Sequence, residues 1–595
     1  MKYSMKWDLD SLYEGGSASP ALTELLDQCE EELRSLDRAL TSLPDKAGDE
    51  WSKTTLRLQE LEAKLWEAVD FVECLQAQDV SDSVADQRMA RIDAMLARRK
   101  NLQTRMETLF LETDEAEWRA FLEREEIAPI AFPLTERRDV MRLKMDQARE
   151  ILAEILSTDG YHAWGRLYEK VAGNLRAEVE EKGEKKRLSM GQLHNKMEEP
   201  DRATRRQAFE KLEAAWSEVA DVTAMALNSQ AGFRLNLYKS RRWESVLDEP
   251  LRINRIRRET LDAMWEAVAA ESPRLLPYLT EKARILGVKK LMWYDLPAPI
   301  AKTPMKYSYD DGAAFILEHF GRFSEDLHSF AAMALEKRWI EAEDRPGKRA
   351  GGFCTDFPLH GETRIFMTYG GTYGSVATLG HELGHSYHTW LLKDHPFWAT
   401  QYPMTLAETA STFGETLLLD AALAAAGTDE QRLSLLGQKA EEATTHLMNL
   451  RARFLFETSF FKAREKSSLT VAELNDLMTE SQRKAYCDGL DPEGYHPLFW
   501  ASKLHFYITS MPFYNFPYVF GYLFSNGLYD RSVKEGSGFA AHYMALLQET
   551  GSMQCEELAR KHLGVDLTRP EFWRDAIGRV LEHVESFTGL SRARR

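Results

Sequence analysis

The residues best able to do chemistry lie in one run, SVATLGHELGHSYHTW, from Ser375 to Trp390. His381 and His385 stand four apart with Glu382 directly after the first, the HExxH arrangement. On a helix, residues four apart sit one above the other, so two imidazoles can grip one metal ion. The Glu beside the first His is then placed to act as general base on the attacking water. With 15 His in 595 residues, chance supplies such a motif about 0.04 times in a chain of this size. A polar surface helix is therefore a poor account of it. Gly384 adds weight, because a helical Gly costs up to about 1 kcal/mol relative to Ala and implies a close neighbour or ligand.

A catalytic zinc site needs a third protein ligand and one open position. His388 lies on the same side of the helix as His381. However, it sits about 4.5 Å further along the axis than His385, at 1.5 Å per residue. One straight helix cannot bring all three His to about 2 Å from one ion. The third ligand must come from another element, after a turn. That turn is read at Lys393-Asp394-His395-Pro396 and Gln401-Tyr402-Pro403. The next helix, MTLAETASTFGETLLLDAALAA, carries Glu408 and Glu415 on one face. Glu408 is expected as the ligand, and Glu415 as support for a ligand histidine. The expected cofactor is a single Zn2+ ion held by His381, His385 and Glu408.

The elements that must position these groups are mainly helical. Leu22, Leu25, Leu26, Cys29, Leu33, Leu36 and Leu40 recur at three- and four-residue steps among charged residues, and Leu58, Leu61, Leu65, Ala68 and Val72 repeat the pattern. The first 200 or so residues read as amphipathic packing helices, with a break at Ile127 to Pro133. Val288 to Pro304 is an irregular connector. The stretch PGKRAGGFCTDFPLHGETRIFMTYGGTYG, rich in Gly and β-branched residues, reads as a small sheet beside the HExxH helix, with its best strand at Thr363 to Tyr369. That strand is a candidate exposed edge for holding an extended peptide. Domain 1–200 is expected as an N-terminal helical unit and 201–595 as the catalytic unit.

Composition narrows the function classes. Hydrophobic residues make up 44% and charged residues 29%, ordinary for a globular chain. A net charge of −18 repels phosphate backbones and anionic lipid, so neither nucleic acid nor membrane is expected as a partner. The most apolar stretch, Phe513 to Tyr529, contains Asn and Pro and reads as buried helix rather than a membrane span. The five cysteines show no metal or redox spacing, and the N-terminus has no apolar signal region. A cytoplasmic location with reduced thiols follows as the expectation.

The run from Gly351 to Tyr387, with AETASTFGE after it, resembles the oligoendopeptidase F branch of the thimet oligopeptidase family of zinc metallopeptidases. So do WDLDSLYEGG at Trp7, LMWYDLPAP at Leu291 and HFYITSMPFYNFPYVFGYLFS from His505. The resemblance implies zinc on His381, His385 and Glu408, with Ser411 completing an E-x-x-S segment, and Glu382 as base. It implies a mainly α fold: a large helical ellipsoid with a deep central channel and a small β-sheet next to the HExxH helix. Short peptides are cut in such a channel and folded proteins are excluded. Relatives also place a His and Tyr from the late segment at the oxyanion. One register aligns His505-Phe506-Tyr507 with the family's His-Phe-Tyr; another aligns Pro512-Phe513-Tyr514, with Pro replacing the His. The expectation falls on His505 and Tyr514 as catalytic, with Tyr507, Tyr518 and Tyr522 as alternatives.

The expected function is a zinc-dependent endopeptidase acting on internal bonds of short oligopeptides. A helical zinc carboxypeptidase removing C-terminal residues would use the same motif, and a peptide-binding scaffold could keep the metal for stability. The intact Glu382 argues against the scaffold, since a structural metal has no use for a base. The sequence does not fix the oligomeric state.

Overall fold

The apolar stripe that begins at Leu22 becomes the helix Pro20–Thr41, opened by Ser19 as its cap and Pro20 at the first position. All seven stripe residues are buried. The helices Asp49–Gln78 and Ser83–Glu112 pack beside it, and Trp51, Leu58, Leu61, Leu65, Phe71 and Phe110 fill the space between. The same core takes in Phe357, Phe366, Phe397 and Trp398 from much later in the chain. Covering a large aliphatic or aromatic side chain contributes about 1.5–3 kcal/mol, so this core fixes the sheet that carries Phe357 and Phe366.

The computed structural model describes residues 2–181, 183–300 and 306–594. These are mainly helical, with one two-stranded and one three-stranded sheet. Two compact units emerge, each assembled from three stretches of chain. The first comprises Met1–Leu143, Met305–Ala421 and Arg531–Gly564; the second comprises Lys144–Pro304, Ala422–Asp530 and Val565–Arg595.

In the first unit, the three-stranded sheet has Glu362–Phe366 in the middle. Ile340–Glu341 runs parallel to it on one side and Phe353–Phe357 antiparallel on the other, pairing Phe353 with Phe366 and Phe357 with Glu362. The expected strand Thr363 to Tyr369 therefore starts one residue earlier and ends at Phe366. It is not an exposed edge, because both its ladders are occupied; the edge strand of that hairpin is Phe353–Phe357. The opening WDLDSLYEGG locks this sheet. Arg364, fully buried, donates to the Asp8 carbonyl at 3.0 Å and to Ser11 Oγ at 2.9 Å.

In the second unit, a hairpin of Arg176–Glu181 and Glu184–Ser189 interrupts what periodicity read as helix. Opposite charges face each other across it, Glu178 with Arg187 and Glu180 with Lys185. The turn uses Gly183 at φ 81. So many charged residues hide the two-residue alternation that marks a strand. The connector from Val288 forms a short turn at Trp293–Asp295, while its residues 301–304 lie outside the described residues. The apolar late segment forms the helix Phe516–Glu535, largely buried. Among the described residues, no helix is long and apolar enough to cross a membrane.

Candidate metal centre

The loop Gly370-Gly371 delivers the chain to Thr372, whose hydroxyl accepts from the Ser375 amide at 3.3 Å and opens the helix Tyr373–Leu392. Val376, Leu379 and Leu383 bury one face of that helix completely. Polar pins hold the other sides. Ser386 Oγ lies 2.5 Å from Thr363 Oγ1, and the Tyr387 hydroxyl donates to Asp326 Oδ2 at 2.7 Å. His388 is buried against Thr550, 2.8 Å from its Oγ1, and stacks on Tyr402 at 4.1 Å. Burial drives its imidazole down to about 3. His388 is thus a packing residue, turned away from the motif.

The second helix, Met404–Ala425, crosses the first at very short range. A methyl group on Gly384 would lie 2.5 Å from the Ala410 carbonyl oxygen and 2.7 Å from the Ser411 Cα. Gly384 is therefore the contact that lets Glu408 reach the histidines. The carboxylate arrives with Oε2 3.4 Å from His381 Nε2 and 3.6 Å from His385 Nε2, and Ser411 Oγ donates to it at 2.7 Å. The two imidazole nitrogens are 3.1 Å apart. Glu415 sits one further step along the same face, with Oε1 3.4 Å from His381 Nδ1.

This triangle fits a metal ion. Three donors each about 2.0–2.1 Å from a tetrahedral centre stand roughly 3.3 Å apart, and the three separations here bracket that value. The donor set of two imidazoles and one carboxylate suits a divalent transition ion. Two facing ring nitrogens cannot both carry protons at this distance. Accordingly His385 is held down to about 4 by burial and then by the His381 charge. Burial also pulls His381 down, but Glu415, Glu408 and Glu382 outweigh it and raise it to about 9.

Glu382 is buried, and its Oε2 has no hydrogen-bond partner among the described residues. Burial raises its carboxyl to about 7 against the pull of His381, with Glu408 and Glu415 adding to the rise. A carboxyl without a protein partner beside three convergent donors can take a proton from a water molecule. Gly352, at the start of the edge strand, runs alongside; a methyl on it would lie 3.5 Å from Glu382 Oε1. The sequence reading gave Gly352 no role. Its signal was the GGFC run before a strand, where paired glycines allow close backbone approach.

The late aromatic residues belong to the second unit. His505, Tyr514 and Tyr518 are half-buried and grouped, with ring centroids 5.5 Å apart for His505–Tyr514 and 4.9 Å for Tyr514–Tyr518. Tyr507 and Tyr522 are core residues of that unit. Tyr507 stacks on Tyr168 at 3.6 Å and Tyr522 on His446 at 4.0 Å.

Comparison with known proteins then decides the family. The profile of peptidase family M3 matches residues 195–579, and that of oligopeptidase F matches residues 110–176. The chain belongs to peptidase family M3. Among relatives, it is 28% identical to the oligopeptidase PepF of Bacillus subtilis over 400 residues, 66% of this chain and 58% of that protein. It is 28% identical to the group B oligopeptidase PepB of Streptococcus agalactiae over 413 residues, 67% of this chain and 66% of that protein. The chain thus aligns with less than two thirds of the length of each. The crystal structure of oligoendopeptidase F from Enterococcus faecium superposes with a TM-score of 0.69 at 19% identity, covering 96% of this chain and 97% of that one. That likeness shows the shared, mainly helical fold.

Proposed function

We propose that this M3 family member is a zinc-dependent endopeptidase that hydrolyses internal bonds of short, unstructured oligopeptides. The observation that carries the reading is the donor triangle of His381, His385 and Glu408 with the unpartnered Glu382 carboxyl beside it. Family membership supports a peptidase, and the oligopeptidase names of the relatives support short peptides as substrates.

In this reading His381, His385 and Glu408 hold one zinc ion. When bound, it supplies Lewis acidity and brings the pKa of a water from about 15.7 to near 7. Glu415 orients the His381 ring through Nδ1. Glu382 takes the proton of the attacking water and passes it to the departing amine, a role worth roughly 10²- to 10⁴-fold in rate. His505 and Tyr514 complete the proposal as donors to the developing oxyanion; such a donor contributes about 3–4 kcal/mol. The edge strand Phe353–Phe357, beginning beside Gly352, offers main-chain hydrogen bonds to an extended peptide and gives affinity without demanding one sequence. The site of action proposed is the cytoplasm.

A series of quenched peptides of rising length tests the reading, run with and without chelator and beside a folded protein. The expected result is chelator-sensitive cleavage at internal bonds with an upper length limit. Release of single C-terminal residues, seen by mass spectrometry, assigns the chain to carboxypeptidases instead. No metal-dependent cleavage overturns the proposal.

A further inference from the structure

Among the described residues, the second unit holds two cations that no carboxylate answers. Arg453 stands on the helix Leu450–Arg464, and Lys503 follows the short helix Phe499–Ser502; both are half-buried. Arg453 Nε donates to Asn449 Oδ1 at 2.9 Å, which sets the plane of the guanidinium. Among the described residues its two Nη groups have no hydrogen-bond partner, and Lys503 Nζ has neither a hydrogen bond nor an ion pair. Both charges lie against one ring, Phe499, at 5.4 Å for Arg453 and 5.1 Å for Lys503. Glu457, one turn on from Arg453, is turned elsewhere: it accepts from the Phe513 amide at 3.2 Å and from Asn515 Nδ2 at 2.7 Å. His505 adds a ring whose buried Nδ1 is also without a partner.

This arrangement carries an electrostatic cost. An unpaired charge drawn out of water is penalised, and a like charge nearby adds to the penalty. Burial holds Arg453 down to about 10. Lys503 is held down to about 8 by burial and then by Arg453. His505 is lowered to about 4 by burial and then by both cations. A structural role would pair these groups; a ligand-binding role leaves them open until the ligand arrives. A planar guanidinium and an ammonium that share one aromatic ring are donors of the kind that recognise a carboxylate or phosphate.

We propose that Arg453 and Lys503 form a binding site for an oxyanion on the second unit. Its source is the free carboxylate of a peptide or a small inorganic anion. The site is read by binding and stands whether or not the chain hydrolyses peptides.

The test uses the full-length chain carrying Glu382→Gln, so that no peptide is consumed. Calorimetry compares a pentapeptide with a free C-terminus, the same peptide as its C-terminal amide, and inorganic phosphate. Binding of the acid at least tenfold tighter than the amide, erased by Lys503→Met or Arg453→Met, supports the site and names a peptide carboxylate as its ligand. Phosphate binding lost in the same variants, without preference for the acid, supports it and names a small anion. Equal binding of all probes by parent and variants overturns it. A second measurement needs no charge-removing variant. The lysines are reductively methylated with carbon-13, and the Lys503 signal is assigned through Lys503→Arg. Its titration midpoint should lie near pH 8 and move up when phosphate or the peptide acid is added. A midpoint unmoved by either overturns the proposal.

Discussion

At the scale of residues, the centre sets the proposed base, Glu382, apart from the three groups that could hold a metal. Glu382 makes none of the triangle's contacts, so Glu382→Gln should leave metal content at one ion per chain while peptide cleavage falls on the order of 10²- to 10⁴-fold. Full activity in that variant removes Glu382 as base. Glu408 and Glu415 differ by geometry: one oxygen faces both Nε2 atoms, the other faces the far nitrogen of His381. Glu408→Ala should release the metal at ordinary chelator levels. Glu415→Ala should weaken it only about 10- to 100-fold; competition with a fluorescent chelator measures both, and equal losses sink the distinction. This pair was legible in the sequence because helical periodicity is local: four residues fix two imidazoles, and seven fix which carboxylates share a face. Arg453 and Lys503 were not, since no spacing rule joins residues brought together only by folding.

At the scale of elements, the centre depends on how closely two helices cross. Gly384→Ala removes the penalty of a helical Gly, about 1 kcal/mol, yet sets a methyl against backbone atoms of Ala410 and Ser411 that cannot swing aside. Overpacking of this kind costs typically about 1–3 kcal/mol. The expected outcome is reduced metal affinity together with a lower melting temperature; an Ala variant that binds metal like the parent shows the crossing to be looser than described. The sequence signalled a close neighbour at Gly384 without naming it. It placed the strand before the motif nearly correctly, but not its central position in the sheet. Strand order depends on Ile340–Glu341, far upstream, which no local pattern links to Glu362–Phe366.

At the scale of the whole molecule, a metal held by the proposed triangle would add stability only to the folded chain. Zinc at 100 times its dissociation constant would contribute about 2.7 kcal/mol, a melting shift of about 2 °C if all 595 residues unfold together and about twice that if the first unit unfolds alone. Chelation should lower that transition, and Glu408→Ala should melt low with or without chelator. A melting curve indifferent to chelator in the parent speaks against a bound ion in the folded chain. The mainly helical character was plain from apolar spacing along the first hundred residues. That three separated stretches build each unit was not, because only long-range contacts reveal it. One consequence concerns synthesis. His388, on the helix that bears the motif, is walled in by Thr550, which belongs to the stretch Arg531–Gly564 and so leaves the ribosome long after the motif itself. A nascent chain halted before that stretch carries the HExxH helix with one side uncovered, so the centre is not walled in until Thr550 has been made.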